Sequence, residues 1–510
     1  GFLTPTFSDS KSLGASVNVP YFYVISESSD LTFKPRFFST SEYLLQSEFR
    51  KETKNSSHIA DFSINKDEDK NGTKTHFFSN SIFNLNQNFF DNSKINLKLE
   101  KVSNDDFTKL YSLESTSPII KDTNILENIF EFSGTRDDLD FNLSFESYES
   151  MNKLNSDKYE FVYPNYSLSK AIDLESDLIE SLDFSSIGNQ KKFSTNIYEA
   201  TQVNDLILTS SKFINKLGFN NRLKSIIKNV NSDANNSSKL KEKKQSELLT
   251  LISYELDLPL IKEEGDYMNF LIPKLALRFS PNDSKNLKDE NRLLTSDNIF
   301  SLNRIGFNET IEGGGSLTLG LDYEKKNQKN GHLFDAKVAT VFRDELNENL
   351  PTSSTLGKKQ SDYVGELRYI PNSKFSFDYN FSVDNDLSST NYNFIKTEIT
   401  INKFVTTFEF LQEDDEVGNE NHYSNEMKLI LNNSNSLKYR TRRNKKTDLT
   451  EYYNLIYEYK NDCLTAAIQY NKEYYSDKDL KPNEEIFFSI SILPFSSVNS
   501  PSKRKWQRKL

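Results

Sequence analysis

The sequence predicts an all-β chain that closes as a large antiparallel transmembrane β-barrel. Three observations predict it. Large side chains recur at every second position, aromatic residues gather at the ends of those runs, and no stretch approaches the ~18 consecutive apolar residues of a membrane helix. The clearest run is Phe375, Phe377, Tyr379, Phe381 and Val383 alternating with Ser376, Asp378, Asn380 and Ser382. A period of two sends the five large groups to one face of a strand and the polar ones to the other.

The pattern repeats along the chain. Ile95, Leu97 and Leu99 form one set, Leu139, Phe141, Leu143 and Phe145 a second, and Leu317, Leu319, Leu321 and Tyr323 a third. Tyr453 to Tyr459, Leu464 to Tyr470 and Phe488 to Ile492 carry it to the end. Short polar breaks such as Ser26 to Asp30 and Pro371-Asn372-Ser373 read as hairpin turns. Two segments break the rhythm, the Asn-, Ser- and Lys-rich Thr201 to Gln245 and Ser280 to Asn303, and both are expected to be long loops, the first with a helical turn around Leu223 to Lys228. No composition change marks a boundary, so residues 1–495 are expected to form one barrel, followed by a basic tail over 496–510.

A soluble β-sandwich or β-solenoid would show the same alternation. The aromatics favour the membrane: Tyr21, Phe22 and Tyr23, Tyr452 and Tyr453, Tyr474 and Tyr475, and Phe487 and Phe488 sit at strand ends, as expected of interfacial girdles. With 39 Phe and 25 Tyr in 510 residues, the chain carries more ring surface than its mean hydropathy of −0.66 would suggest.

Composition excludes several functions. A net charge of −11, with basic residues clustered only over Ser502 to Lys509, argues against a nucleic-acid partner. His58, His76, His332 and His422 lack metal-ligand spacing, so neither a metal nor another cofactor is expected. No Ser/His/Asp set or close carboxylate pair converges in sequence, and no enzyme is expected. Glu312-Gly313-Gly314-Gly315 precedes a strand and lacks the Lys-Ser/Thr of a phosphate loop, so it reads as a turn or bulge. The opening Gly1-Phe2-Leu3 has no signal-peptide character, which suggests a mature chain or a fragment.

The N-terminal stretch GFLTPTFSDSKSLGASVNVPYFYVISESSDLTFKPRFFSTSEYLLQSEFR closely resembles the start of the barrel domain of the LptD (OstA) family. Asp297 to Tyr323, Lys358 to Phe381 and Tyr453 to Tyr475 are similar to further parts of it, strongly over 1–50 and 290–495 and faintly between. The resemblance implies an outer-membrane barrel of about 26 strands, each with ~10 residues in the membrane. It implies insertion of lipopolysaccharide into the outer leaflet of a Gram-negative outer membrane, through the lumen and a lateral gate between the first and last strands. The implied partners are lipopolysaccharide, outer-membrane lipid, an LptE-like plug lipoprotein, and an LptA-like periplasmic bridge that docks on an N-terminal domain outside this chain. An outer-membrane pore or receptor of another family is the alternative.

Pro20 and Pro35 each interrupt an otherwise good strand and delete a ladder donor, as an edge-strand proline also would. The resemblance makes them gate prolines that weaken a seam between a first strand at about Leu13 to Ile25 and a last at about Glu485 to Leu493. Cys463, the single cysteine, lies in a polar turn between two alternating runs. In the family a cysteine there bonds to the N-terminal periplasmic domain, and an even strand number with both ends in the oxidising periplasm suits that role.

Overall fold

The structure, a computed structural model, describes residues 1–492 except 4, 11–12, 41, 68–71, 86, 114–115, 121, 123, 330, 462–463 and 475–483. Twenty-nine strand segments form one antiparallel sheet. Three breaks lie inside a strand, because both flanking segments pair with the same neighbour: Gly14–Asn18 with Tyr21–Ser26, Ile197–Ser210 with Phe213–Ile214, and Gln245–Asp257 with Leu260–Glu264. The described residues therefore make 26 staves. The first, Thr6–Ser10, pairs antiparallel with the last, Glu484–Ile492, and the sheet closes.

Closure is what a lipid-exposed sheet requires, since hydrocarbon offers an open edge no hydrogen-bond partner. Apolar side chains alternate outward: Leu248, Ile252 and Tyr254 are exposed, while Leu249, Leu251 and Ser253 between them are buried on the inner side. The two ends of the barrel differ. Connections at the end that holds Gly1 are short, such as 137–138, 265–266 and 402–403, while those at the other end include 103–124, 281–313 and 344–362. Short periplasmic turns and long extracellular loops give this asymmetry in outer-membrane barrels, which sets the orientation.

The segment 201–245, expected as a loop with a helical turn, is mostly strand: Ile197–Ser210, Asn220–Asn235 and the start of Gln245–Asp257. Strands of 14, 16 and 13 residues exceed the ~9–11 needed to cross. Their polar residues clad the part beyond the membrane, where the side chains of Ser186, Asn204, Asn229 and Ser246 bond one to the next across four strands. Composition alone could not separate that cladding from a loop. The segment 280–303 carries no strand after Ser280, and its loop continues to Gly313.

Asp9 lies directly opposite Ile486 in the closing pair. Cα atoms of such pairs are ~4.5–5.5 Å apart, within disulfide range. Cysteines at these two positions should cross-link on mild oxidation in detergent, and failure to form the bond in folded protein would contradict the closure.

Candidate functional site

The seam is short by the standard of this sheet. The first strand has five residues, running from Thr6 opposite Ser489 to Ser10 opposite Glu485. Its short, polar TFSDS has one large apolar residue, Phe7, and no alternation to betray a strand. The segment expected to meet the last strand, Leu13 to Ile25, is thus the second strand, and its neighbours are Thr6–Ser10 and Ser29–Phe38.

Pro20 and Pro35 meet at one interruption. The ladder between the second and third strands pairs Asn18 with Arg36 and resumes at Tyr21 with Phe33. That register sets Pro35 opposite Val19 and Pro20 opposite Lys34. Val19 N–H donates to the Pro35 carbonyl at 3.1 Å and Pro35 has no donor to return, while the backbone polar groups of Pro20 face the first strand. On that side Pro20 accepts from Leu3 N–H at 2.8 Å, beyond a stretch that contains Pro5. The prolines therefore loosen the wall one strand in from the closing pair. A matching break lies elsewhere, with Pro273 accepting from Leu258 N–H at 3.1 Å beside Pro259.

Two long loops fold into the lumen. Phe107, Tyr111, Leu113 and Ile120 of loop 103–124 pack on Leu13, Phe38, Leu44 and Phe78, the inward residues of the first six strands. Backbone and hydroxyl bonds fix it there: Lys34 Nζ to the Thr116 carbonyl at 2.7 Å, Arg36 Nη1 to the Tyr111 carbonyl at 3.0 Å, Thr116 Oγ1 to Gln46 at 2.8 Å, and Tyr111 Oη to Glu42 at 2.8 Å. Under the loop, Asp61, His76 and Ser63 bond in sequence, His76 Nε2 lying 3.0 Å from Asp61 and Nδ1 2.5 Å from Ser63 Oγ. At 0, 1 and 0% exposure they are sealed from solvent, and the set joins neighbouring strands.

Loop 281–313 covers the inner wall nearly opposite the seam. Leu294, Ile299 and Ile305 pack with Ala339, Val341 and Val364, and Ile311 with Val203, Val230 and Leu251. A buried ionic knot anchors it. Arg304 donates through Nε to Glu312 at 2.6 Å, and its Nη groups reach Thr318 at 2.7 Å and Ser316 at 2.8 Å. Arg343 Nη1 meets the same carboxylate at 2.6 Å, and Arg278 donates to the Ser301 and Leu302 carbonyls. The segment read as a turn thus delivers Glu312 to the centre of the knot. Gly313 permits this because a Cβ there would lie 2.3 Å from the Asn282 carbonyl oxygen.

Sequence reasoning singled out neither Arg36, Arg304 nor the loop 103–124, and took Glu312 only as part of a turn or bulge. The available signal was the run of large apolar residues from Phe107 to Leu113 in a stretch that does not alternate. Cys463 and the basic tail lie outside the described residues. The strands Leu449–Lys460 and Leu464–Glu473 that flank Cys463 place the turn between them at the end that holds Gly1.

A closed barrel of 26 strands, with short turns at one end and two loops folded against its inner wall, defines a large outer-membrane barrel. The chain belongs to the LptD family, LPS transport system D, which it matches over residues 73–406, including the middle region where the resemblance in sequence is faint. LPS transport at the Gram-negative outer membrane is the work of that family, one of transporters and not enzymes. The soluble reading is thereby set aside.

Among solved structures, the chain is similar to the FrpB iron transporter of Neisseria meningitidis, at 6% identity over 96% of this chain and 81% of that one, with a TM-score of 0.33. It is also similar to the alcaligin outer-membrane receptor FauA of Bordetella pertussis, at 8% over 96% and 75% with a TM-score of 0.31. The ferric preacinetobactin receptor BauA of Acinetobacter baumannii is similar at 7% over 96% and 79%, with a TM-score of 0.27. No curated protein matches the sequence.

Burial alone would raise the Glu312 carboxyl, but Arg304 foremost, then Arg278 and Arg343, outweighs it and holds the group at about 2. A lowered folded value means that the ionic anchor is fully present above the unfolded value of ~4.3, weakens as the pH falls beneath it, and is lost on passing about 2. Loop 281–313 should therefore resist proteolysis unchanged from neutral pH to about pH 5 and yield to pepsin only toward pH 2. Arg304→Ala, which leaves a buried carboxylate short of its main partner, should cost ~3–5 kcal/mol and expose the loop to trypsin at neutral pH. Equal resistance in the variant would show that the knot does not hold the loop.

Proposed function

We propose that this chain receives lipopolysaccharide at its short-turn end and inserts it into the outer leaflet, sugars through the lumen and acyl chains through the seam between Thr6–Ser10 and Glu484–Ile492. Neither half of the lipid then crosses a medium it cannot tolerate, since bare sugars in hydrocarbon and acyl chains in water are both costly. The observation that carries the reading is the coincidence of the five-residue closing pair with the Pro20–Pro35 interruption one strand away. Here a short junction and a broken ladder lie close together. The comparable break at Pro259 and Pro273 is braced, because Tyr267–Ser280 pairs along its full length with Gly314–Asn327.

The proposed partners are an LptE-like lipoprotein in the lumen and an LptA-like bridge reached through an N-terminal periplasmic domain. Cys463 is proposed to bond to a cysteine of that domain, its turn lying at the periplasmic end. Cleavage between the two domains of the full-length protein, followed by electrophoresis without reductant, should leave the fragments joined. Fragments that separate would remove Cys463 from this role.

The oxidised Asp9→Cys/Ile486→Cys barrel, in its full-length assembly, should stop delivering lipopolysaccharide and recover on reduction. Delivery at the reduced rate by the cross-linked form would exclude lateral exit here. Replacing Pro20 and Pro35 with threonine restores two donors worth ~1 to 3 kcal/mol together. Delivery should slow while folding yield is unchanged.

A further inference from the structure

We propose that Arg36 is a positioning residue that clasps the first two strands to the wall and makes the seam responsive to loop 103–124; the proposal rests on the lateral-exit reading. Arg36 lies on the inner face of Ser29–Phe38, with its guanidinium 4.9 Å from the centre of the Phe38 ring. Its Nε donates to Ser16 Oγ of the second strand at 2.9 Å and its Nη2 to Ser8 Oγ of the first at 2.6 Å. The two hydroxyls are 2.8 Å apart, and both serines are buried. Nη1 takes the Tyr111 carbonyl at 3.0 Å. One planar group thus joins three strands and the in-folded loop.

The place gives this weight. Outward of the proline interruption, the second and third strands share three paired residues, Ser16 to Asn18 against Phe38 to Arg36. Charge-assisted hydrogen bonds are roughly twice as strong as neutral ones, so where the ladder is this short the side chain governs how far the first two strands can swing away. Of the four loop bonds named above, those of Lys34 and Gln46 end on the third and fourth strands and that of Glu42 in the turn between them. Arg36 alone among them continues to the first and second. A guanidinium oriented by the Tyr111 carbonyl holds both serines in register, and departure of the loop removes that support. Whatever displaces the loop from the lumen therefore loosens the seam, and an opened seam loosens the loop in equal measure.

The role demands arginine, because a lysine ammonium is a point charge that cannot address three fixed acceptors with one planar fork. Spin labels at Asp9 and Ile486 of the full-length assembly in proteoliposomes report the separation across the seam. Arg36→Ala should raise the population of separated strands on the order of tenfold, and Arg36→Lys should fall between it and the wild type. Ser8→Ala, which leaves the loop bonds untouched, should loosen the first strand in the same direction, so that the answer survives if Arg36→Ala fails to fold. Phe107→Ala with Tyr111→Ala, which strips the loop of its apolar hold, should also open the seam, but should add little in the Arg36→Ala background.

An unchanged separation in Arg36→Ala, or in Ser8→Ala, overturns the clasp. Full additivity of the loop and Arg36 substitutions overturns the coupling. Because separation is read without transport, a cross-linked barrel that still delivered lipopolysaccharide would defeat lateral exit while these distances judged the clasp by themselves.

Discussion

Every backbone donor and acceptor at membrane depth must find its partner within the sheet, and the rest of this structure follows from that constraint. Twenty-five of the 26 wall junctions join strands adjacent in sequence, where a turn keeps the partners close. The remaining one brings Thr6–Ser10 to Glu484–Ile492 across almost the whole chain. An antiparallel closing pair requires an even number of staves, which puts Gly1 and Ile492 on the same rim and the long loops on the other. The junction that makes the barrel possible is thus also the one with the least local support.

A wall of 26 strands encloses more space than its inward side chains fill. Apolar inward residues such as Phe78, Leu44 and Leu251 would then be wetted, and the loops 103–124 and 281–313 cover them. The two are held by different chemistry. Near the seam the bonds are single ones, from Lys34 and Arg36 to backbone carbonyls and from loop hydroxyls to Gln46 and Glu42, with no ion pair between loop and wall among them. On the far wall a carboxylate and three guanidinium groups are sealed from solvent, and separating them would strand an unpaired charge. The molecule has one loop held by apolar packing and single hydrogen bonds and one pinned by buried ionic groups, and the first lies beside the closing junction.

Alternation of period two, with aromatics at the strand ends, was sufficient to read the fold class and many of the strands, because lipid-facing residues are apolar and their neighbours need not be, while the approximate stave number came from the family resemblance. Alternation failed where that rule lapses. Thr6–Ser10 is too short to alternate, and Asn220–Asn235 rises out of the membrane, so its amides resemble a loop in composition while pairing as a strand. Pro20 and Pro35 were legible one at a time as lost donors, but their meeting at a single break depends on register, which a sequence does not display. Arg36 carried no signal of its own and Glu312 read only as part of a turn, since a charge looks solvated until a carbonyl 75 residues away accepts from it, or two arginines converge on it.

Among the described residues a proline pair interrupts a ladder at Pro20 and Pro35 and again at Pro259 and Pro273, and the two are braced differently. At Pro259 and Pro273 the lost donors lie between a strand paired along its whole length with Gly314–Asn327 and an upper segment, Gln245–Asp257, paired on both sides. Strain there has nowhere to propagate. At Pro20 the second strand is broken toward both neighbours at once, and one of those neighbours is the five-residue strand that closes the barrel. A proline pair therefore has no fixed meaning in a sheet: its effect is set by the continuity of the ladders on either side. In this protein that continuity is lowest where a side chain, and not the backbone, ties the outermost strands to the wall.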